Sequence, residues 1–338
     1  MSRRGIVCGG NLLMDYIKMV DVWPAEGMLA NIGSLEKNPG GAVYNVLVDL
    51  AKMEAGIPLY AMGLRGDDPI GDEIPELLAQ NNINIDFVFK APGEKTSYTD
   101  VMTVKSSGQR TFFHYRGANR LLDAGYFARV ETNARIFHLG YLLGLDALDV
   151  PEKEYGTCGA RVLASLREKG YKTSVDVISE DSGRYAEVVT PCLRYIDYFI
   201  INEVEAQKIT GAEIRKGNII DRIALGKAAG ELMRMGVHSL VVIHFPEGAI
   251  AVNKNGEIIS MGSFKIPGKE IKGTVGAGDA FCAGVLYGLH EDLDVREALR
   301  IGHASAYFNL KNTTSTGGAV PLKQIREFLS SGPGQNEF

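Results

Sequence analysis

The feature that most restricts this chain is a recurring alternation of short apolar, β-branched runs with amphipathic helical patterns. The runs fall at Gly5–Cys8, Leu59–Met62, Arg135–Leu139, Lys172–Val175, Tyr198–Ile201 and Leu240–Ile243. Their length and composition suit strands covered on both faces. Between them, Val43, Val46, Leu47 and Leu50 recur at i, i+3, i+4 and i+7, a stripe that packs a helix on a sheet. Gly40-Gly41 precedes that helix, and Gly56 with Pro58 ends it. Further helices are predicted near Arg161–Lys169, Asp221–Met235, Ala280–Leu289 and Val295–Tyr307. Strand–helix repetition of this kind predicts an α/β fold with a mostly parallel central sheet flanked by helices.

Two stretches break the pattern. Leu12–Val20 and Thr99–Tyr115 alternate apolar and polar residues with period two, and Ser106-Ser107-Gly108 offers a turn within the second. We read them as a small, half-exposed β-sheet lid. The expected division is an α/β core of residues 1–10, 37–95 and 121–330, a lid of 11–36 and 96–120, and a disordered tail over 331–338.

Composition bounds the function. Of 338 residues, 45% are apolar and 23% charged, enough for a sizeable core, and the net charge of -5 argues against nucleic acid or a membrane surface as partner. Cys8, Cys158, Cys192 and Cys282 are scattered without a C-x-x-C pair, which suits a reducing, cytoplasmic setting. No apolar run is long enough for a signal-peptide core or a bilayer span.

The densest chemistry lies in Gly273-Thr274-Val275-Gly276-Ala277-Gly278-Asp279-Ala280-Phe281. Small residues at a helix start let backbone N–H groups approach an anion, and the helix dipole adds to the attraction. Asp279 in the first turn is placed to accept a proton from an attacking hydroxyl; an ordinary helix cap after a glycine turn would read the same.

The run Gly276–Phe281, followed by Ala283-Gly284, resembles the C-terminal signature of ribokinase-like (PfkB-type) carbohydrate kinases. Gly40-Gly41-Ala42, Asn45, Gly63, Gly66-Asp67-Asp68 and Gly71-Asp72 resemble the N-terminal one, so the similarity runs from about Ile6 to Phe328. The resemblance implies an ATP- and Mg²⁺-dependent transfer of the γ-phosphoryl group to a hydroxyl of a small sugar or sugar acid. Asp279 is then the general base, and Gly276, Ala277 and Gly278 form the anion hole. Asp15 would grip a sugar diol, with Gly40, Gly41 and Asn45 beneath it. Tyr98, Arg110 and Asn119 would face the substrate from the lid, and Arg116 is a second basic candidate there. Asn202, Thr274, His244, Gly248 and His303 would meet the nucleotide, with Glu205 reaching Mg²⁺ through water. Asp176 falls near the substrate or simply forms a turn.

Two departures stand out. Gly273 replaces the Asp that usually helps hold a monovalent cation, which counts against potassium activation. His244-Phe245-Pro246-Glu247-Gly248 replaces a T-x-G-x-x-G nucleotide loop, and Pro246 supplies no N–H there. A nucleoside kinase of the same family and a non-catalytic sugar sensor remain as alternatives. A half-exposed lid could also pair across a homodimer.

Overall fold

The computed structural model describes residues 3–217 and 219–337. Its centre is a nine-stranded sheet. The strands, in chain order, are β1 (Ile6–Gly10), β4 (Leu59–Arg65), β5 (Asn84–Lys90), β8 (Ile136–Leu142), β9 (Lys172–Val177), β10 (Tyr198–Asn202), β11 (Leu240–Phe245), β12 (Gly248–Asn253) and β13 (Ile258–Gly262). Their spatial order is β13-β12-β11-β10-β9-β8-β1-β4-β5. Pairing is parallel from β5 to β11, and the two strands at the other edge run antiparallel.

Alternation along each buried strand sends side chains to two separate cores. Val7, Val241 and Ile243 face one, together with Leu163 of α3 (Cys158–Glu168), Ala206 of α4 (Glu203–Thr210) and Leu232 of α5 (Arg222–Arg234). Ile6, Cys8 and Val242 face the other, with Leu47 of α1 (Ala42–Lys52), Ile74 of α2 (Pro69–Gln80), Val285 of α6 (Ala277–His290), Leu299 of α7 (Val295–Asn309) and Ile325 of α8 (Leu322–Ser330). Because both cores close on a single sheet, truncating a residue such as Leu232 to Ala is worth about 2–5 kcal/mol of stability.

A separate four-stranded sheet has the order β3-β2-β6-β7, from β2 (Leu13–Val20), β3 (Ile32–Gly40), β6 (Tyr98–Val104) and β7 (Arg110–Tyr115). β2 follows β1 after only two residues, and β3 feeds into α1 through Gly41. The strands of this sheet start or end at the same edge of the core where β1, β8, β9, β10 and β11 finish.

Three features depart from the sequence-based expectation. β3 continues to Gly40, beyond the lid boundary placed at residue 36. The β12–β13 hairpin and β5 were not anticipated, because their runs carry Gly, Ala, Asn or Asp among the apolar residues. The segment expected as a disordered tail is tied down: Lys265 N–H donates to Gly334 O and Asn336 N–H to Ser263 O, both at 2.8 Å. Those two bonds extend the edge of the sheet where β13 would otherwise end unpaired. Phe338 lies outside the described residues.

Among the described residues no helix is long and apolar enough to cross a membrane.

Candidate active site

A cavity of about 560 Å³ lies between the small sheet and the carboxyl edge of the large one. Ligands of open α/β sheets collect at this edge, because loops and helix N-termini converge there while the strands stay packed. Gly41, Asn45, Tyr141, Asp176, Asn202, His244 and Asp279 line it from the core, and Asp15, Thr99, Arg110, Phe112 and His114 from the small sheet.

Asp279 sits in the first turn of α6. Gly276 before it has φ of 77°, and a side chain there would collide with the carbonyl of Ser315. Only glycine holds that left-handed turn without strain, which is what exposes the helix N–H groups to the cavity. Asn45 Nδ2 donates to one Asp279 oxygen at 2.8 Å, and the Tyr141 hydroxyl to the other at 2.7 Å. Burial pushes the Asp279 carboxyl up from its ordinary range, and these two donors oppose that shift.

The small sheet supplies a second carboxylate. Asp15 on β2 is in register with Thr99 on β6, and Thr99 with His114 on β7, so the three side chains form one row across three strands. Thr99 Oγ1 and His114 Nδ1 are 3.0 Å apart. Burial raises Asp15 to about 7, against a lowering hydrogen bond from Thr99, with Asp279 adding to the rise. His114 is driven down to about 4 by burial, so its imidazole is neutral at physiological pH.

Asn202 and Glu205 form a capping box at the start of α4. Asn202 Oδ1 accepts from Glu205 N–H at 2.9 Å, and Glu205 Oε2 accepts from Asn202 N–H at 2.9 Å. The other Glu205 oxygen accepts from Ser179 Oγ at 2.6 Å. Burial raises Glu205 to about 7. Asp176 is pushed well up by burial and by the nearby Glu205 and Asp279. Among the described residues no three His, Cys, Asp or Glu side chains converge into a ready-made metal cage.

Several residues nominated from the sequence lie elsewhere. Asn119 is fully buried, and its amide is consumed by the backbone of Leu12: Nδ2 donates to Leu12 O at 3.0 Å and Oδ1 accepts from Leu12 N–H at 3.4 Å. It staples the 117–121 turn beneath the small sheet rather than facing the cavity. Tyr98 precedes Thr99 on β6 and so projects to the opposite face, packing edge-on to Tyr16 with ring centroids 5.9 Å apart. His303 packs against Phe281 with tilted rings whose centroids are 5.0 Å apart, and burial lowers it to about 3. Gly248 starts β12 directly after the 246–247 turn, away from the cavity wall. Arg116 donates to Leu143 O at 3.0 Å and lies 3.6 Å from both Asp146 and Glu180, so it is engaged outside the cavity.

Other lining residues carried no sequence signal. Tyr141 and Thr99 were hidden in apolar or alternating runs, and Asn11 in a loop. Neither Asn11 amide atom nor Asn45 Oδ1 finds a partner among the described residues, although all are buried. Such atoms call for a polar ligand.

A carboxylate beside a helix-start anion hole, with a second carboxylate lining the same cavity, is the arrangement an α/β phosphotransferase acting on a hydroxyl requires. The comparisons narrow that class. Residues 3–321 match the family described as pfkB family carbohydrate kinase, and the chain belongs to it. It is 28% identical to a probable chloroplastic fructokinase-6 of Arabidopsis thaliana, over 95% of this chain and 80% of that protein. It is 26% identical to fructokinase-2 of Zea mays, over 94% and 90%. The structure of Arabidopsis thaliana ribokinase complexed with ribose and ATP superposes with a TM-score of 0.79 at 22% identity, covering 97% of this chain and 99% of that one. The protein is therefore a sugar kinase that phosphorylates an alcohol group with ATP.

Proposed function

We propose that the acceptor is a small neutral sugar, held by Asp15 and Asn11 and deprotonated at one hydroxyl by Asp279. The observation that carries this reading is the paired donation of Asn45 and Tyr141 to Asp279, which aims a carboxylate into the cavity at the mouth of the anion hole. Asp15 accepts from two sugar hydroxyls, and Asn11 and Asn45 Oδ1 gain the partners they lack. In the transfer the acceptor oxygen forms a bond to the γ-phosphorus while the bond to the β,γ-bridging oxygen breaks, leaving ADP. The hydroxyl proton passes to Asp279. The N–H groups at 276–278 receive the charge of the phosphoryl oxygens.

The lining supports a neutral acceptor. Arg110 is the only cationic side chain lining the cavity among the described residues, since His114 and His244 are both lowered to about 4. Kinases of this family use ATP, typically with Mg²⁺. The oxygen-only donor set of Asp176 and Glu205 suits a hard ion that keeps most of its water, so these two would hold Mg²⁺ through water, and Mg²⁺ would neutralise triphosphate charge.

The outer face of the small sheet and its 21–31 loop also expose Met28, Leu29, Ile32, Leu35 and Phe113, the last stacked on Trp23 at 6.1 Å. So much apolar surface on one sheet supports a homodimer closed through it. Sedimentation of Leu35→Asp as a monomer, with the native chain as a dimer, would support that assembly. Four free cysteines, three of them buried, support a reducing compartment such as the cytoplasm.

The deciding experiment is an ADP-release assay over neutral sugars, sugar acids and nucleosides, with Asp279→Asn in parallel. Turnover on a neutral sugar that falls about 10²–10⁴-fold in the variant, with sugar-dependent thermal stabilisation retained, supports the reading. Turnover on nucleosides alone, or full activity in the variant, overturns it. Stabilisation by sugar with no turnover would make the chain a sensor.

A further inference from the structure

Among the described residues Arg110 is the one cation that lines the cavity. Its Nη1 lies 3.4 Å from Thr274 Oγ1, in the loop that leads to the anion hole. Its Nε is buried without a partner, and among the described residues the guanidinium pairs with no carboxylate. The guanidinium lies beside position 273, which is glycine. A Cβ there would stand 3.4 Å from Arg110 Nη2 and 2.8 Å from the carbonyl of Asn312. A carboxylate at 273 would neutralise the guanidinium, and a monovalent cation there would be repelled by it. The residues present therefore do not fit a monovalent-cation site, and the fixed charge stands in its place.

We propose that Arg110 is the positive charge of the anion hole: carried by the small sheet, it binds the phosphoryl group in transfer and replaces the monovalent cation that a carboxylate at 273 would help to hold. This rests on the kinase reading above. An anion at this guanidinium could be either the phosphoryl group of the donor or an acid group of the acceptor. The position favours the donor. Arg110 and His114 share one face of β7 four residues apart, so Arg110 branches from the strand roughly 13 Å from the Asp15–Thr99–His114 row at the usual strand rise. It touches instead the loop whose N–H groups face the phosphates. A guanidinium fixed at that point meets developing equatorial charge with a planar set of donors. It also ties the small sheet to the chemistry, because the charge arrives only when β7 lies over the 273–278 loop.

The test compares the native enzyme with Arg110→Ala and Arg110→Lys, exchanging K⁺ for a bulky organic cation at constant ionic strength. Native turnover should be indifferent to K⁺. Arg110→Ala should lose about 10²-fold in kcat with KM for a neutral sugar unchanged, and free guanidinium should restore part of the loss. Calorimetric affinity for a non-hydrolysable ATP analogue with Mg²⁺, measured without sugar, should fall several-fold in the same variant. Arg110→Lys keeps the charge on a similar stem and should lie between the two, which guards against a misfolded alanine variant. Strong K⁺ activation of the native enzyme, or full turnover in Arg110→Ala, overturns the proposal. So does a loss confined to KM for acidic sugars, which would place the arginine on the acceptor. Asp279→Asn, assayed alongside, separates these outcomes from failure of the kinase reading, since its inactivity would stand whatever Arg110 does.

Discussion

The Tyr141 hydroxyl, at the end of β8, donates to Oδ1 of Asp279 at 2.7 Å, and 138 residues of chain separate the two. The bond joins the sheet to the helix that carries the base. It is also what keeps a fully buried carboxylate partly poised for proton uptake, since burial alone favours its neutral form.

Tyr141→Phe should therefore shift the acid limb of the kcat/KM profile to higher pH. The sign follows from the role of the hydroxyl: it stabilises the ionised base, so removing it raises the pKa at which the base becomes competent. A hydrogen bond to a charged group is worth about 1.5–3 kcal/mol, and each pH unit corresponds to 1.36 kcal/mol, so the shift should be about one unit or somewhat more. Rate should recover toward the native value on the alkaline side. A uniform loss at every pH would instead make Tyr141 a packing residue.

Asp15 gives a different dependence, in binding rather than rate. Its carboxyl is raised to about 7, and only the ionised form accepts from two hydroxyls. Affinity for the sugar should thus weaken as pH falls through 7, approaching tenfold per unit well below it. Asp15→Asn should bind weakly with no such slope. Calorimetric titration between pH 5 and pH 8 (roughly the span over which such a group titrates) would show it, and a flat native profile would place the diol elsewhere.

How much of this was legible depends on where each contact lies in sequence. The parallel core was readable because β1, β8, β10 and β11 are predominantly apolar runs, and Asp279 because it follows two glycines at a helix start. The strands read short at their carboxyl ends, where Asp176, Asn202 and His244 interrupt the apolar pattern for the sake of the site. Asn45 was legible as a candidate site residue, but its bond to Asp279 was not: Nδ2 holds that carboxylate, and Oδ1 is left for a ligand. Tyr141, Thr99 and His114 stayed hidden because register and crossing, not local pattern, bring them together. Asn119 misled because a polar residue beside the hairpin reads like a ligand contact, whereas its amide is spent on the backbone of Leu12.

Asp49 offers a stability test outside the chemistry. It is buried on α1, neither carboxyl oxygen has a partner among the described residues, and burial raises it well above its ordinary value. A carboxyl with a raised folded pKa contributes its full stability below the unfolded value near 3.8, and loses it as pH rises toward the folded one. Asp49→Asn should therefore raise Tm, more at about pH 8 than at about pH 5 in a thermal scan. An equal Tm change at both values would mean that Asp49 is ionised in the folded chain over the whole range, its carboxyl not raised by burial.

Gly40 and Gly41 separate binding from folding. A Cβ on Gly40 would collide with Asp15 Oδ2, the free end of a side chain, and Gly40 has no positive φ. Gly41 has φ of 84°, and a Cβ there would collide with the main-chain carbonyl of Asn11. Side-chain ends move at little cost, whereas main chain in a packed turn does not. Gly40→Ala should then fold with nearly native Tm but displace the Asp15 carboxylate, raising KM for the sugar about tenfold while kcat changes less, as expected when one charge-assisted contact worth roughly 1.4 kcal/mol is lost. Gly41→Ala should lower Tm by several degrees, through strain of about 1–3 kcal/mol, before any kinetic effect is measured. If Gly40→Ala left KM untouched, Asp15 would not be the residue that grips the acceptor, and the row it forms with Thr99 and His114 would be only a seam of the small sheet.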